Sequence, residues 1–303
     1  MTQLLVGADV GGSKTAVAVS DGERVVARAT GRGAAVRPGR ALPSAATIAE
    51  VVRLALGEIG RQRAAVLVVG AAGAGREPER SELRAALRSE DLAERVIVTT
   101  DIEIALAAAF GDGPGLVLSA GTGSVAVARD GSGTLHRVGG WGWQMGDEGS
   151  GYAIGRAALG AVSRAQDGRS PATALTARLL AATRSATFDD LVRWAAGASP
   201  AEVAGLAPAV LAVAEAGDPA AQGIAEQAAR ELAELARRLL PKLAGISPVR
   251  VALTGGLLDG SARLRRAVLA KLAQEPGLEP IEGAIEPALG AVHLAKEAVS
   301  GER

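Results

Sequence analysis

Short apolar runs separated by glycine-rich turns open the chain. Residues 3–10, QLLVGADV, and 15–20, TAVAVS, read as two strands joined by the tight turn GGSK, and RVVARAT adds a third strand after SDGE. The glycines sit inside a hairpin, whereas a Rossmann or P-loop site runs from its glycines directly into a helix. The period then changes. Residues 44–60 read as a helix, 64–70 (AAVLVVG) as a buried strand, 78–89 as a helix, 95–100 (RVIVTT) as a strand, and Asp101 to Phe110 as a helix. Such alternation predicts an α/β domain whose sheet is partly parallel.

At residue 115 the pattern restarts. GLVLSAGTGSVAVARDG (115–131) repeats the plan of LLVGADVGGSKTAVAVSDG (4–22): apolar strand, glycine-rich turn with hydroxyls, alternating strand, DG turn. This predicts two related α/β halves. From Gly149 to about Pro241 the pattern is helical, clearest at 219–240, where Ile224, Ala228, Leu232, Leu235 and Leu239 make one stripe. Asp218 is placed to cap that helix, Pro219 suits its first turn, and Pro241 ends it. VRVALTGGLLDGS (249–261) adds a strand into a Gly-Gly turn, followed by helix 262–274. The predicted organisation is a first lobe at 1–112, joined by a final helix at 287–300, and a second lobe at 113–286 carrying a helical insertion at about 150–245. FGDGPG, at 110–115, reads as a hinge.

Composition narrows the function classes. Lys plus Arg and Asp plus Glu are 33 each with no single-sign block, which points to neither a nucleic-acid nor a membrane partner. Cysteine is absent, so disulfides, thiolate zinc sites and cysteine-ligated iron–sulfur clusters are excluded. The start MTQLLVGADVGG has no basic segment before a long apolar stretch, and no apolar run approaches the ~20 residues that span a bilayer. The expectation is a cytoplasmic protein.

Three glycine-rich turns carry the candidate chemistry. Bare backbone N–H groups converge easily on phosphate oxygens. DVGGSKT (9–15) adds the Ser13 and Thr15 hydroxyls, the Lys14 cation and the Asp9 carboxylate; SAGTGS (119–124) offers a second cradle and TGG (254–256) a third surface. Asp101 follows an apolar strand, where clefts form in such sheets, but on local sequence it reads equally as an N-cap. Asp147 also reads as a cap, for a helix starting near Gly149, and Asp9 as a stabiliser of its own turn. His136 and His293 have no partners at ligand spacing and read as structural or solvated; Trp194 reads as core. Of six aromatic side chains, two Trp and the only Tyr lie in or beside GGWGWQMGDEGSG (139–151), among glycines and the pair Asp147 and Glu148.

In order and spacing, GADVGGSKT, TTD (99–101), SAGTGS, GGWGWQMGDEGSGYAIGR and TGG resemble the N-acetylglucosamine kinase family, with its BadF/BadG-type ATPase domain in the sugar kinase, Hsp70 and actin superfamily. The resemblance runs from residue 4 to the final helix and is most specific at 139–155. It implies a duplicated ribonuclease-H-like (actin-like) α/β fold, ATP between two lobes, and Mg²⁺-dependent transfer of the γ-phosphoryl group to a sugar hydroxyl, with a homodimer as the assembly. It further implies that Asp9 positions Mg²⁺ through water, and that Gly11, Gly12, Ser13, Lys14 and Thr15 form the first phosphate loop. Gly121, Thr122 and Gly123 would form the second, with Gly217, Gly255 and Gly256 on the nucleotide side. Asp101 would be the catalytic base and contact the sugar, alongside Gly140, Trp141, Gly142 and Asp147; Trp143 would either wall the same pocket or pack on the following helix. One departure stands out: where the family carries a sugar-binding Asn, the ungapped position is Ala35, and GRGAAVRPGR contains no Asn. N-acetylglucosamine, phosphorylated at its 6-hydroxyl, is the leading substrate, with glucosamine, N-acetylmuramic acid or a hexose as alternatives. Two further classes share the fold. ATPase activators would need the missing cysteines, and sugar-sensing regulators would place a DNA-binding segment before the first strand.

Overall fold

The computed structural model describes residues 3–281 and 283–301. They fall into two compact units, one running to Gly113 and resuming at Ile285, the other Pro114–Ala284.

Unit 1 holds a five-stranded sheet. β1 (Leu5–Val10), β2 (Lys14–Ser20) and β3 (Val25–Arg32) form an antiparallel meander, and β4 (Ala64–Ala71) and β5 (Ala93–Thr99) join parallel to β1, giving the order β3-β2-β1-β4-β5. Side-chain alternation sorts the strands' two faces. Val6, Ala8, Val10, Leu67 and Val69 point to α1 (Ala41–Gly57) and α2 (Glu79–Ser89). Leu5, Val66 and Val68 point to α3 (Asp101–Phe110) and the C-terminal helix Pro287–Ser300, meeting Ile104, Ala107, Ala291 and Leu294. Each fully buried Val, Leu or Ile side chain in these layers contributes about 1.5–3 kcal/mol.

Unit 2 repeats the sheet. β6 (Gly115–Ala120), β7 (Ser124–Arg129) and β8 (Leu135–Gly139) form the meander, and β9 (Val249–Thr254) and β10 (Leu278–Pro280) add the parallel strands in the order β8-β7-β6-β9-β10. Between β8 and β9 lie α4 (Gly151–Gln166), α5 (Leu175–Thr183), α6 (Phe188–Gly197), α7 (Pro200–Ala204), α8 (Ala207–Glu215) and α9 (Pro219–Arg237). α10 (Gly256–Gly260) and α11 (Ala262–Leu272) come after β9, and the C-terminal helix is α12. Leu116, Leu118 and Ala126 of the sheet pack with Ile154, Leu211, Leu232 and Val268 of these helices, and Trp194 lies against this core.

Two strands escape the hydrophobic pattern. β8 is a half-exposed edge reading LHRVG, and β10 has three residues, too few for a periodic signal. Asp218 caps α9 by accepting from the Ala221 N–H at 3.0 Å. The α-helix stops at Arg237, before the expected residue 240, and the chain tightens into a 3₁₀ turn, Leu240–Leu243, that holds Pro241. Among the described residues no single helix is long and apolar enough to cross a membrane. The fold is α/β and duplicated, of the ribonuclease-H-like kind found in actin-like ATPases.

Candidate active site

The three parallel strands of unit 1 end on one edge. Asp9 of β1 lies beside Gly70 of β4, which lies beside Thr99 of β5. Two strand spacings separate Asp9 from Thr99 by about 10 Å, and Asp101 comes two residues later. Thr100 is extended (φ −85°, ψ 154°) and caps α3: its hydroxyl accepts from the Glu103 N–H at 3.2 Å, while the Glu103 carboxylate accepts from the Thr100 N–H at 3.1 Å. This corrects the capping alternative for Asp101. TTD offers two capping-competent residues, and the backbone selects Thr100. Asp101 is the first helical residue, half-buried, with Oδ1 accepting from the Ile102 N–H at 3.0 Å.

Gly11, Gly12 and Ser13 turn β1 into β2, closed by the Gly11 N–H donating to the Lys14 carbonyl at 2.9 Å. Ser13 and Lys14 are exposed. Thr15 requires a correction. It is fully buried, and its hydroxyl donates to the Arg32 carbonyl of β3 at 2.8 Å, because strand alternation turns it away from the open side of the turn. The segment after β3 braces the turn. The Ala34 N–H donates to the Gly11 carbonyl at 3.1 Å, and a Cβ at Gly33 would lie 2.2 Å from the Gly12 carbonyl oxygen, so only glycine permits this approach. Ala35 comes next, and the Val36 N–H donates to the Ala72 carbonyl beyond β4 at 2.8 Å. Ala35 therefore occupies the same edge as Asp9 and Asp101.

In unit 2 the matching edge gathers all three remaining motifs. Gly121, Thr122 and Gly123 turn β6 into β7, and the Gly121 N–H donates to the Gly123 carbonyl at 2.8 Å. The carbonyls of Gly121 and Thr122 accept from the N–H groups of Gly151 and Tyr152, at 2.8 and 3.2 Å, where α4 begins. The Ser124 hydroxyl donates to the Glu148 carbonyl at 2.7 Å, and the Ser124 N–H donates to Asp147 Oδ1 at 3.3 Å. Ser150 caps α4 through the Ala153 N–H at 3.2 Å, correcting the capping alternative for Asp147. Asp147 lies three residues too early, in the left-handed region at φ 62°, with only 8% of its surface exposed. Its carboxylate packs so closely under the turn that a Cβ at Gly123 would lie 2.7 Å from Oδ2. Burial raises its pKa, and neighbouring Glu148 adds to the shift, against the Ser124 and Gly142 N–H groups that favour the anion.

TGG arrives beside this turn because Ser119 pairs with Thr254 in the parallel register. Gly255 adopts φ 100°, and a Cβ there would lie 2.4 Å from the Ala120 carbonyl oxygen. Among the expected aromatics, Trp141 is 58% exposed under the Arg137 guanidinium, 5.3 Å from its ring centre. Trp143 meets Tyr152 of α4 with ring centres 5.2 Å apart, so the packing alternative holds for that residue. Gly140 and Gly142 are both left-handed and bracket Trp141. Gly217 follows α8. At φ 98° it ends α8 and hands the chain to the Asp218 cap.

A family model for the BadF/BadG/BcrA/BcrD ATPases matches residues 6–295. The chain belongs to the BadF/BadG/BcrA/BcrD ATPase family. It is 31% identical over 207 residues to an N-acetylmuramic acid/N-acetylglucosamine kinase from Clostridium acetobutylicum, covering 67% of this chain and 68% of that one. It is 30% identical over 187 residues to an N-acetyl-D-glucosamine kinase from Dictyostelium discoideum, covering 60% and 59%. A solved structure from Chromobacterium violaceum, whose suggested role is N-acetylglucosamine kinase, superposes with a TM-score of 0.82 at 28% identity, covering 97% and 99% of the two chains.

Within this ATPase-family frame, several supporting residues carry weight that their motifs do not display. Glu103 completes a T-x-x-E capping box at 100–103. Gly33 backs the first turn. Asp259 and Arg265 brace TGG: the Arg265 guanidinium lies 3.4 Å from Asp259 and donates to the Leu253 carbonyl at 3.3 Å. Burial raises the Asp259 pKa, opposed by Arg265 and by the Gly255 backbone. No local signal marks that pair, since its partners are set by β9 and α11 together.

Proposed function

We propose that the chain is an ATP-dependent amino-sugar kinase that transfers the γ-phosphoryl group to the 6-hydroxyl of N-acetylglucosamine, with N-acetylmuramic acid as a second substrate. The observation that carries this reading is Asp101: a half-buried carboxylate at the end of three parallel strands, relieved of helix capping by Thr100 and Glu103. The relative from Clostridium acetobutylicum is an N-acetylmuramic acid/N-acetylglucosamine kinase, and that from Dictyostelium discoideum is an N-acetyl-D-glucosamine kinase.

Asp101 accepts the proton of the sugar hydroxyl as its oxygen bonds to the γ-phosphorus and the bond to the ADP oxygen breaks. Gly11, Gly12 and Ser13, with Lys14, would hold phosphate oxygens in unit 1, and Gly121, Thr122 and Gly123 would do so in unit 2. Gly255 and Gly256 would offer bare backbone to the nucleotide, with Gly217, between α8 and α9, on the same nucleotide side. Gly140, Trp141 and Gly142 would receive the sugar ring, and Asp147 its hydroxyls. Oxygen donors such as the Asp9 carboxylate suit Mg²⁺, which Asp9 would hold through water. When bound, Mg²⁺ neutralises phosphate charge. Ala35 carries no donor or acceptor in its side chain, so one hydrogen bond to the sugar is missing and discrimination among amino sugars is relaxed.

ADP release measured against a panel of hexoses and amino sugars tests the reading. Stimulation by N-acetylglucosamine and N-acetylmuramic acid is expected, with a phosphate group on C6 of the product by NMR. Failure of every sugar to raise ADP release above background would overturn the kinase assignment.

A further inference from the structure

His293 has one carboxylate at helical ligand spacing, Glu297, and the fold brings up a second, Asp112. His293 and Glu297 stand one turn apart on α12, and Asp112 reaches them from the connection after α3. His293 Nε2 lies 3.5 Å from Asp112 Oδ1 and 3.5 Å from Glu297 Oε1, and one donor atom from each residue falls within 4.8 Å of the others. We propose that Asp112, His293 and Glu297 form a divalent-cation site of the zinc class, separate from phosphoryl transfer.

Two observations converge on a cation rather than on hydrogen bonding. A separation of 3.5 Å is long for an N–H···O bond, which falls at about 2.7–3.2 Å. It matches two donors that each lie about 2.1 Å from one tetrahedral ion, whose mutual distance is about 3.4 Å. The Nε2 atom is also shut off from solvent and makes no hydrogen bond. One imidazole nitrogen with two carboxylates favours Zn²⁺, or Co²⁺ in its place, over Mg²⁺ or Ca²⁺, which prefer all-oxygen sets.

The location gives the ion a structural task. α3 and α12 are in backbone contact, since a Cβ at Gly290 would lie 1.9 Å from the Ile104 carbonyl oxygen. Asp112 sits past the far end of α3 from Asp101, about 15 Å along the helix. A cation here clips the exit of α3 to α12 and leaves a fourth position to water.

The test uses the full chain, stripped with a chelator and titrated with Co²⁺ and then Zn²⁺. Saturable binding of one Co²⁺ per chain with a visible d–d absorption band is expected, along with displacement by Zn²⁺ and a rise of several degrees in melting temperature. Asp112→Asn, an exposed substitution that spares the core, is expected to weaken Co²⁺ binding at least tenfold, and His293→Ala to abolish the band. His136→Ala, which alters the only other histidine, is expected to leave it intact. Absence of saturable binding to the wild-type chain, or a band unchanged by both Asp112→Asn and His293→Ala, would overturn the site; a protonated His293 bridging two carboxylates gives the first of these results.

Discussion

The two units share a sheet and differ in the connection that leaves its third strand. In unit 1 a short braced segment, 33–36, leads to one helix before β4; in unit 2 the loop from Gly139 and the helices α4 to α9 intervene before β9. The candidate acids divide accordingly. Asp9 and Asp101 stand at strand ends of unit 1, half-buried, while Asp147 of unit 2 is buried beneath the β6–β7 turn. The duplicated sheet is thus a common frame, and the chemistry differs because the connections differ.

The carboxylates offer the sharpest way to test that division. Asp101→Ala is expected to lower turnover by about 10²–10⁴-fold with an unchanged melting temperature, because Thr100 and Glu103 keep the cap. Coupled ADP release and thermal unfolding check both halves, and near-normal turnover by the folded variant would sink the general-base role. Next in size come the glycines that close each edge. Gly255→Ala and Gly33→Ala are each expected to destabilise by about 2–4 kcal/mol in urea unfolding, since the new methyl meets backbone. Gly217→Ala has a comparable positive φ but open space, so about 1 kcal/mol is expected. Equal losses at Gly255 and Gly217 would show that φ alone, rather than contact with Ala120, governs the unit 2 edge.

The smallest effect separates Asp147 from its unit 1 counterparts. Its folded pKa is raised above 3.8 by burial, so the native state holds this proton more tightly than the unfolded chain. The resulting stability is present below about pH 3.8 and is lost as pH rises through the raised value. Asp147→Asn tolerates the left-handed backbone and lacks this titration. Its stability relative to the wild type is therefore expected to improve as pH rises across that window, read by unfolding at several pH values. A constant difference would mean that Asp147 titrates normally.

Much of the frame is legible in the linear pattern. Both hairpins announce themselves because alternation and DG turns act over two to four residues, and the repeat at 115–131 emerges from comparing them. The caps mislead for an equally local reason. TTDIE contains a complete capping box at Thr100 and Glu103, but the eye goes to the aspartate. Thr15 shows the opposite failing: a hydroxyl within a glycine-rich motif groups with the turn, although the strand's alternation already turns it inward.

Apart from β8 and β10, the strands of both sheets, the main turns, the duplication and the family are available from residue order alone, because each rests on side-chain periodicity or on motifs a few residues long. Which donors meet is a tertiary matter. Gly255 rests on Ala120, Asp147 lies under Gly123, and His293 faces Asp112 only because sheet register and helix packing join segments separated by up to about 180 residues. Hydrogen-bond and ligand geometry tolerates errors of a few tenths of an ångström, and no pattern read along the chain carries that resolution.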